Sequence, residues 1–196
     1  MKPVRLTILV LLLTGLSDQL APAENCNCAG SHDHGQVGAA ASGSPYAGLE
    51  RRAIKALSEQ QMADLKAGRG MGLSLPAELN GYPGPAHVLE LADALRLSDD
   101  QRARTKALLE AMKVETIPIG EQVVSEEATL DHLFAEKKAT QAALNESVAR
   151  VASAQGDLRA AHLRYHLAMT ELLSTEQVAR YAELRGYSSG MQHHQQ

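Results

Sequence analysis

The sequence predicts an all-α protein built around one long helical hairpin. Three observations carry this. The apolar residues are mostly Ala and Leu, with one Phe, five Tyr and no Trp, and Ala and Leu are strong helix formers. Leu144, Val148, Val151, Gln155, Leu158, His162, Tyr165, Met169 and Leu172 alternate by four and three, the heptad signature of a helix with a helical partner. A helix-start device recurs at Leu57-Ser58, Leu97-Ser98 and Leu173-Ser174. No segment alternates with period two for long enough to make a strand.

Residues 1–23 read as a cleavable export signal. Lys2 and Arg5 precede an apolar run from Leu6 to Leu13, and Leu20-Ala21-Pro22-Ala23 places small residues before Glu24. The run is well short of the roughly 20 apolar residues of a membrane span, so cleavage after Ala23 is expected. Residues 24–44 are Gly, Ala, Ser, His and Cys without periodicity and read as a disordered tail.

Residues 45–84 hold short helices and a Gly/Pro-rich loop. Ser44-Pro45 is a cap with proline at the first helical position, and helix should end at Gly68. Gly68 to Pro85 contains five Gly and three Pro, a composition for turns. Residues 85–186 form the main helical unit. A helix is expected from Pro85 to Leu95, and a second from Ser98 to about Thr116. Pro118 should kink or split the pattern before it resumes to about Lys138. Thr140 caps the seam-bearing arm, which reaches Leu172. Residues 187–196 form a disordered tail. The thin, aromatic-poor core favours a homodimer.

The recurring device is a capping box. The hydroxyls of Ser58, Ser98 and Ser174 can accept from the backbone three residues on, while Gln61, Gln101 and Gln177 reach back. The preceding leucines can act as hydrophobic staples.

A formal net charge of −4 argues against nucleic acid, which needs a basic surface. There is no Gly-x-Ser-x-Gly elbow, phosphate loop or His-Glu-x-x-His, so the chain reads as non-enzymatic. Its chemistry-bearing residues are metal-ligand types. His162 and His166 lie one helical turn apart, and Met169 follows on the same side, a spacing that converges on one point. Imidazole suits Cu, Zn, Ni and Co, and a thioether suits softer ions. The same spacing also serves simply to fill a seam. Cys26, Cys28, His32 and His34 form a second cluster that can chelate Cu(I) or Zn(II) or undergo thiol oxidation. His193 and His194 are a weaker third, and His132 is out of phase with its apolar neighbours.

The matched copies Leu97-Ser98-Asp99-Asp100-Gln101-Arg102-Ala103-Arg104 and Leu173-Ser174-Thr175-Glu176-Gln177-Val178-Ala179-Arg180 bracket the hairpin. They resemble the paired LTxxQ motifs of the Spy/CpxP family of periplasmic proteins, which includes CnrX-like heavy-metal sensors and ZraP-like zinc-binding chaperones. The resemblance implies an antiparallel, cradle-shaped dimer in the periplasm, without an organic cofactor. In CnrX-like sensors a methionine precedes the second motif where Met169 stands here. The accompanying histidine would fall on Tyr165, between His162 and His166. Upstream ligands would fall on Val88 and Ala92, beside His87, and on Leu109, beside Glu110. A site near the family pattern would therefore use His87, Glu110, His166 and Met169. The expected function is periplasmic heavy-metal binding or sensing in metal resistance or envelope stress. The alternative is an ATP-independent chaperone for unfolded clients, from whose basic cradle this acidic chain departs. A third reading is a purely regulatory module that docks on a sensor kinase or anti-sigma factor.

Overall fold

Three of the helices start on one local device, and its geometry is complete each time. In the computed structural model, which describes residues 44–187, Ser58, Ser98 and Ser174 each accept from the backbone N–H three residues on. Gln61, Gln101 and Gln177 return a hydrogen bond to the cap residue. The staple leucines Leu57, Leu97 and Leu173 are all buried. The export signal, the Cys26, Cys28, His32 and His34 cluster, and residues 188–196 lie outside the described residues.

After a short 3-10 turn at Leu49–Arg51, six α-helices follow: α1 Glu59–Lys66, α2 Leu75–Glu78, α3 Pro85–Glu90, α4 Asp99–Ala135, α5 Gln141–Leu172 and α6 Thr175–Leu184. No strand occurs among the described residues. The fold is all-α. No described helix is long and apolar enough to cross a membrane. α4 and α5 form the hairpin, with Thr140 capping α5 through the Ala143 N–H at 3.2 Å. α1, α2 and α3 pack against it.

Three expectations are corrected. Pro45 does not open a helix: residues 45–48 are turn, and the 3-10 turn that follows has Gly48 at its N-cap. The helix from Pro85 ends at Glu90 and passes into turns that include Arg96 in the left-handed region (φ 52°). Pro118 does not split the next helix, which runs unbroken from Asp99 to Ala135. Proline removes one N–H and frees the carbonyl four residues back. That residue is Val114, 76 % exposed, and Pro118 is itself exposed, so water can satisfy the carbonyl.

The seam of α5 is also turned from its expected register. Val151, Leu158, His162, Met169 and Leu172 are buried as anticipated, but Val148 is 47 % exposed and Gln155 lies outside. Ser147, Ala154 and Ala161 take the inner positions. On α5 these small residues alternate with the buried Val151, Leu158, Met169 and Leu172. α4 buries Thr105, Thr116 and Gly120, of which Thr116 lies against Gly68 and Gly120 against Leu65 of α1. Both threonine hydroxyls bond back to their own helix, to Gln101 O at 2.7 Å and Met112 O at 2.8 Å, whereas the buried Ser147 hydroxyl has no protein partner.

Two apolar clusters hold the additions to the hairpin. One gathers Val88, Ala92, Leu95, Met169, Leu172 and Tyr181 near the capping boxes. The other gathers Ile54, Leu57, Leu65, Val123, Ala154 and Leu158 further along. Beside the first cluster the two matched motifs meet. Gln101 Nε2 donates to Gln177 Oε1 at 2.8 Å, and Gln177 Nε2 returns to Gln101 Oε1 at 3.0 Å. Each Nε2 has a second acceptor, Leu172 O at 3.1 Å and Leu95 O at 3.3 Å respectively. Every amide hydrogen of the pair is used, and the ring ties the starts of α4 and α6 to the end of α5 and to the turns after α3.

Candidate functional site

On α5 the turns between Leu158 and Met169 belong to neither apolar cluster, and they carry His162 and His166. The seam register buries both, at 2 % and 7 % exposure. The segment from Gly68 to Gly84, here the strap, lies over them. Its close approach needs glycine at position 84, where an added Cβ would stand 2.8 Å from His166 Cε1. At Gly70 a Cβ would stand 3.5 Å from His162 Nδ1.

The two rings differ in their partners. His166 Nδ1 lies 2.7 Å from the Tyr82 carbonyl. A carbonyl only accepts, so Nδ1 carries the hydrogen and, in the neutral ring, the lone pair sits on Nε2. His162 Nε2 is buried with no hydrogen-bond partner in the protein, and so is Ser74 Oγ. Both residues line the same cleft of about 190 Å³ between strap and hairpin. An unpaired buried polar atom is costly. Ser147 Oγ, away from the cleft, is likewise without a protein partner, and among the described residues His162 Nε2 is the one such atom of a metal-ligand type.

The strap also delivers Glu78, 7 % exposed. Its Oε2 accepts from the Gly84 N–H at 3.2 Å, and its Oε1 accepts from the hydroxyls of Tyr181 and, at 3.3 Å, Tyr187. Arg185 Nε is 3.8 Å from Oε1, and His166 Nδ1 is 3.8 Å from Oε2. Burial, then the Glu78 hydrogen bond, pushes the Tyr181 phenol far above its usual range, so it stays a donor. Sequence reasoning missed Glu78. The available signal was slight: it is the one carboxylate between Gly68 and Pro85.

The expected four-residue set is not brought together. His87 reaches the rim of the cleft but is 41 % exposed and pairs at 3.1 Å with Glu90 on its own helix. Glu110 faces solvent and pairs with Lys113 at 2.9 Å. Met169 is fully enclosed in the first apolar cluster. His162 and His166 do share the cleft, joined by Met112 from α4 and Met71 from the strap. Among the described residues no three His, Cys, Asp or Glu side chains form a metal-holding group. Cys26, Cys28, His32 and His34 lie outside those residues, and His132 is exposed as anticipated.

Burial, then the neighbouring His166, holds the His162 pKa below its ordinary 6.5. The unfolded chain therefore takes up this proton more readily than the folded one. The contribution to stability is whole above about pH 6.5 and is lost as pH falls below it. Melting temperature measured from pH 8 to 5 should drop with a slope that His162→Gln flattens. An unchanged slope in the variant would assign the dependence to other groups.

No family model, curated protein or solved structure matches this chain.

Proposed function

We propose that this protein binds heavy-metal ions through His162 and His166 in the periplasm, and serves metal resistance or envelope-stress signalling. The observation that carries the reading is the His162 Nε2 lone pair or hydrogen, buried without a partner beside a second imidazole whose Nε2 is also spare. Two imidazoles one turn apart are a chelating pair. The His87, Glu110 and Met169 positions are set aside for the reasons of geometry given above. A homodimer, and docking on a sensor kinase or anti-sigma factor, belong to the same reading.

The chaperone alternative has its own support in Val114, Phe134, Val148 and Leu167, large apolar side chains exposed on the hairpin. Against it, the chain's own α1, α2 and α3 already occupy one face of that hairpin, and the net charge is acidic.

The test uses the full chain carrying Cys26→Ser, Cys28→Ser, His32→Ala and His34→Ala, which removes the N-terminal chelators. Metal titration should show saturable binding that weakens as pH drops through the imidazole range, because protons compete for the same nitrogens. Metal held only by the folded state should stabilise by about 2.7 kcal/mol at a hundredfold excess over Kd. Adding His162→Ala and His166→Ala should abolish both effects. Suppression of client aggregation without metal binding would replace this reading with the chaperone one.

A further inference from the structure

We infer that the metal this cleft is built for is monovalent copper, held by His162, His166 and the thioether of Met112. The inference rests on the metal-binding reading above and goes further by naming the ion and a third ligand from α4.

Ligand type comes first. The cleft is lined by two buried imidazoles, His162 and His166, by a third at its rim, His87, which is paired with Glu90, and by two thioethers and one carboxylate. Met112 is 9 % exposed and looks into the cleft from α4, while Met71, 42 % exposed, stands at its mouth in the left-handed region (φ 42°). Thioethers select soft ions, Cu(I) above all, whereas Zn, Ni and Co prefer imidazole, thiolate or oxygen donors. A Zn(II) site closes with roughly four such donors, and no third His, Cys, Asp or Glu joins the pair among the described residues. Cu(I) accepts a low coordination number, so two imidazoles and one thioether complete its shell.

Charge points the same way. Burying an ion in a site of low polarity is costly unless it is compensated. The carboxylate within reach is Glu78, 3.8 Å from His166 Nδ1, and it is shared with Arg185 and with the Tyr181 and Tyr187 hydroxyls. That leaves less than one full negative charge for an incoming ion. A monovalent cation with three neutral ligands suits this setting, and a divalent one does not.

The second shell is already in place. The Tyr82 carbonyl accepts from His166 Nδ1, which fixes the tautomer and leaves the Nε2 lone pair, beside Gly84, as the ligand atom, as metal-bound histidines require. The spare Nε2 of His162 is the second donor. Gly70 and Gly84 keep the strap close over both rings without side chains that would fill the space.

The experiment takes the full chain with the four N-terminal substitutions and titrates it anaerobically with Cu(I) against a chromophoric Cu(I) chelator, and separately with Zn(II), Ni(II) and Co(II). Cu(I) should bind at one equivalent, and X-ray absorption should report nitrogen and one sulfur neighbour. Met112→Leu, which conserves volume, should weaken Cu(I) by about tenfold or more, a readout of at least 1.4 kcal/mol, with circular dichroism unchanged. His162→Ala and His166→Ala should remove binding. If a divalent ion binds through His162 and His166 while Cu(I) binds more weakly, or if Met112→Leu leaves Cu(I) affinity unaltered, the copper assignment is overturned and the metal-binding reading survives. If no ion binds, both fall together.

Discussion

Gly120→Ala should destabilise the protein by about 2–3 kcal/mol, although alanine is the better helix former by roughly 1 kcal/mol. A Cβ at position 120 would stand 2.2 Å from the Leu65 carbonyl oxygen and 2.9 Å from its carbon. The obstacle is backbone of α1, which has no rotamer to yield. α1 would have to lift from α4, loosening Leu65, Ile54 and Leu57 from Val123 and Leu158. Gly156 on α5 supplies the opposite sign, because nothing lies within 4 Å of an added Cβ there and the position is exposed. Gly156→Ala should stabilise by about 0.5–1 kcal/mol. Chemical denaturation of the two variants checks both. If Gly120→Ala were as stable as Gly156→Ala, the close approach of α1 to α4 would be refuted.

The glutamine ring should show itself as coupling. Gln101→Ala or Gln177→Ala should each cost about 2–4 kcal/mol, because each removes a helix cap and strands a part-buried amide together with a carbonyl. For a chain of this size that is a fall in Tm of very roughly 5–15 °C. The second substitution should then cost less than the first, since its partner is already gone. A coupling energy of about 1–3 kcal/mol is expected from the double-mutant cycle. Strict additivity would mean that Gln101 and Gln177 act only as separate caps, each within its own helix.

The same ring explains why the matched motifs belong together. Their capping role is local, so it was legible in the sequence: a serine, a glutamine three residues on and a preceding leucine specify a helix start through neighbours alone. Thr140 as the start of α5 and Gly68 as the end of the α1 segment, where the backbone turns left-handed (φ 65°), were legible for the same reason. That the Gln101 and Gln177 side chains also clasp each other joins positions 76 residues apart, and no local pattern carries that.

All-α character, the long hairpin and the helix starts were thus determined by the sequence itself, because capping, propensity and heptad spacing act over a turn or two of chain. Tertiary structure decided the rest. Periodicity ranks positions by size, so it favoured Val148 and Gln155, whereas the packing of α5 buried Ser147, Ala154 and Ala161, residues too small to stand out. Pro118 looked like a break because the sequence does not say which carbonyl faces water. Met169 and Glu110 carried ligand chemistry by type but were claimed by an apolar cluster and by Lys113. His162 and His166 were visible by spacing. Their cover, their Tyr82 tether and the neighbouring Met112 and Glu78 come from the strap and from α4, segments that only folding brings to the same place.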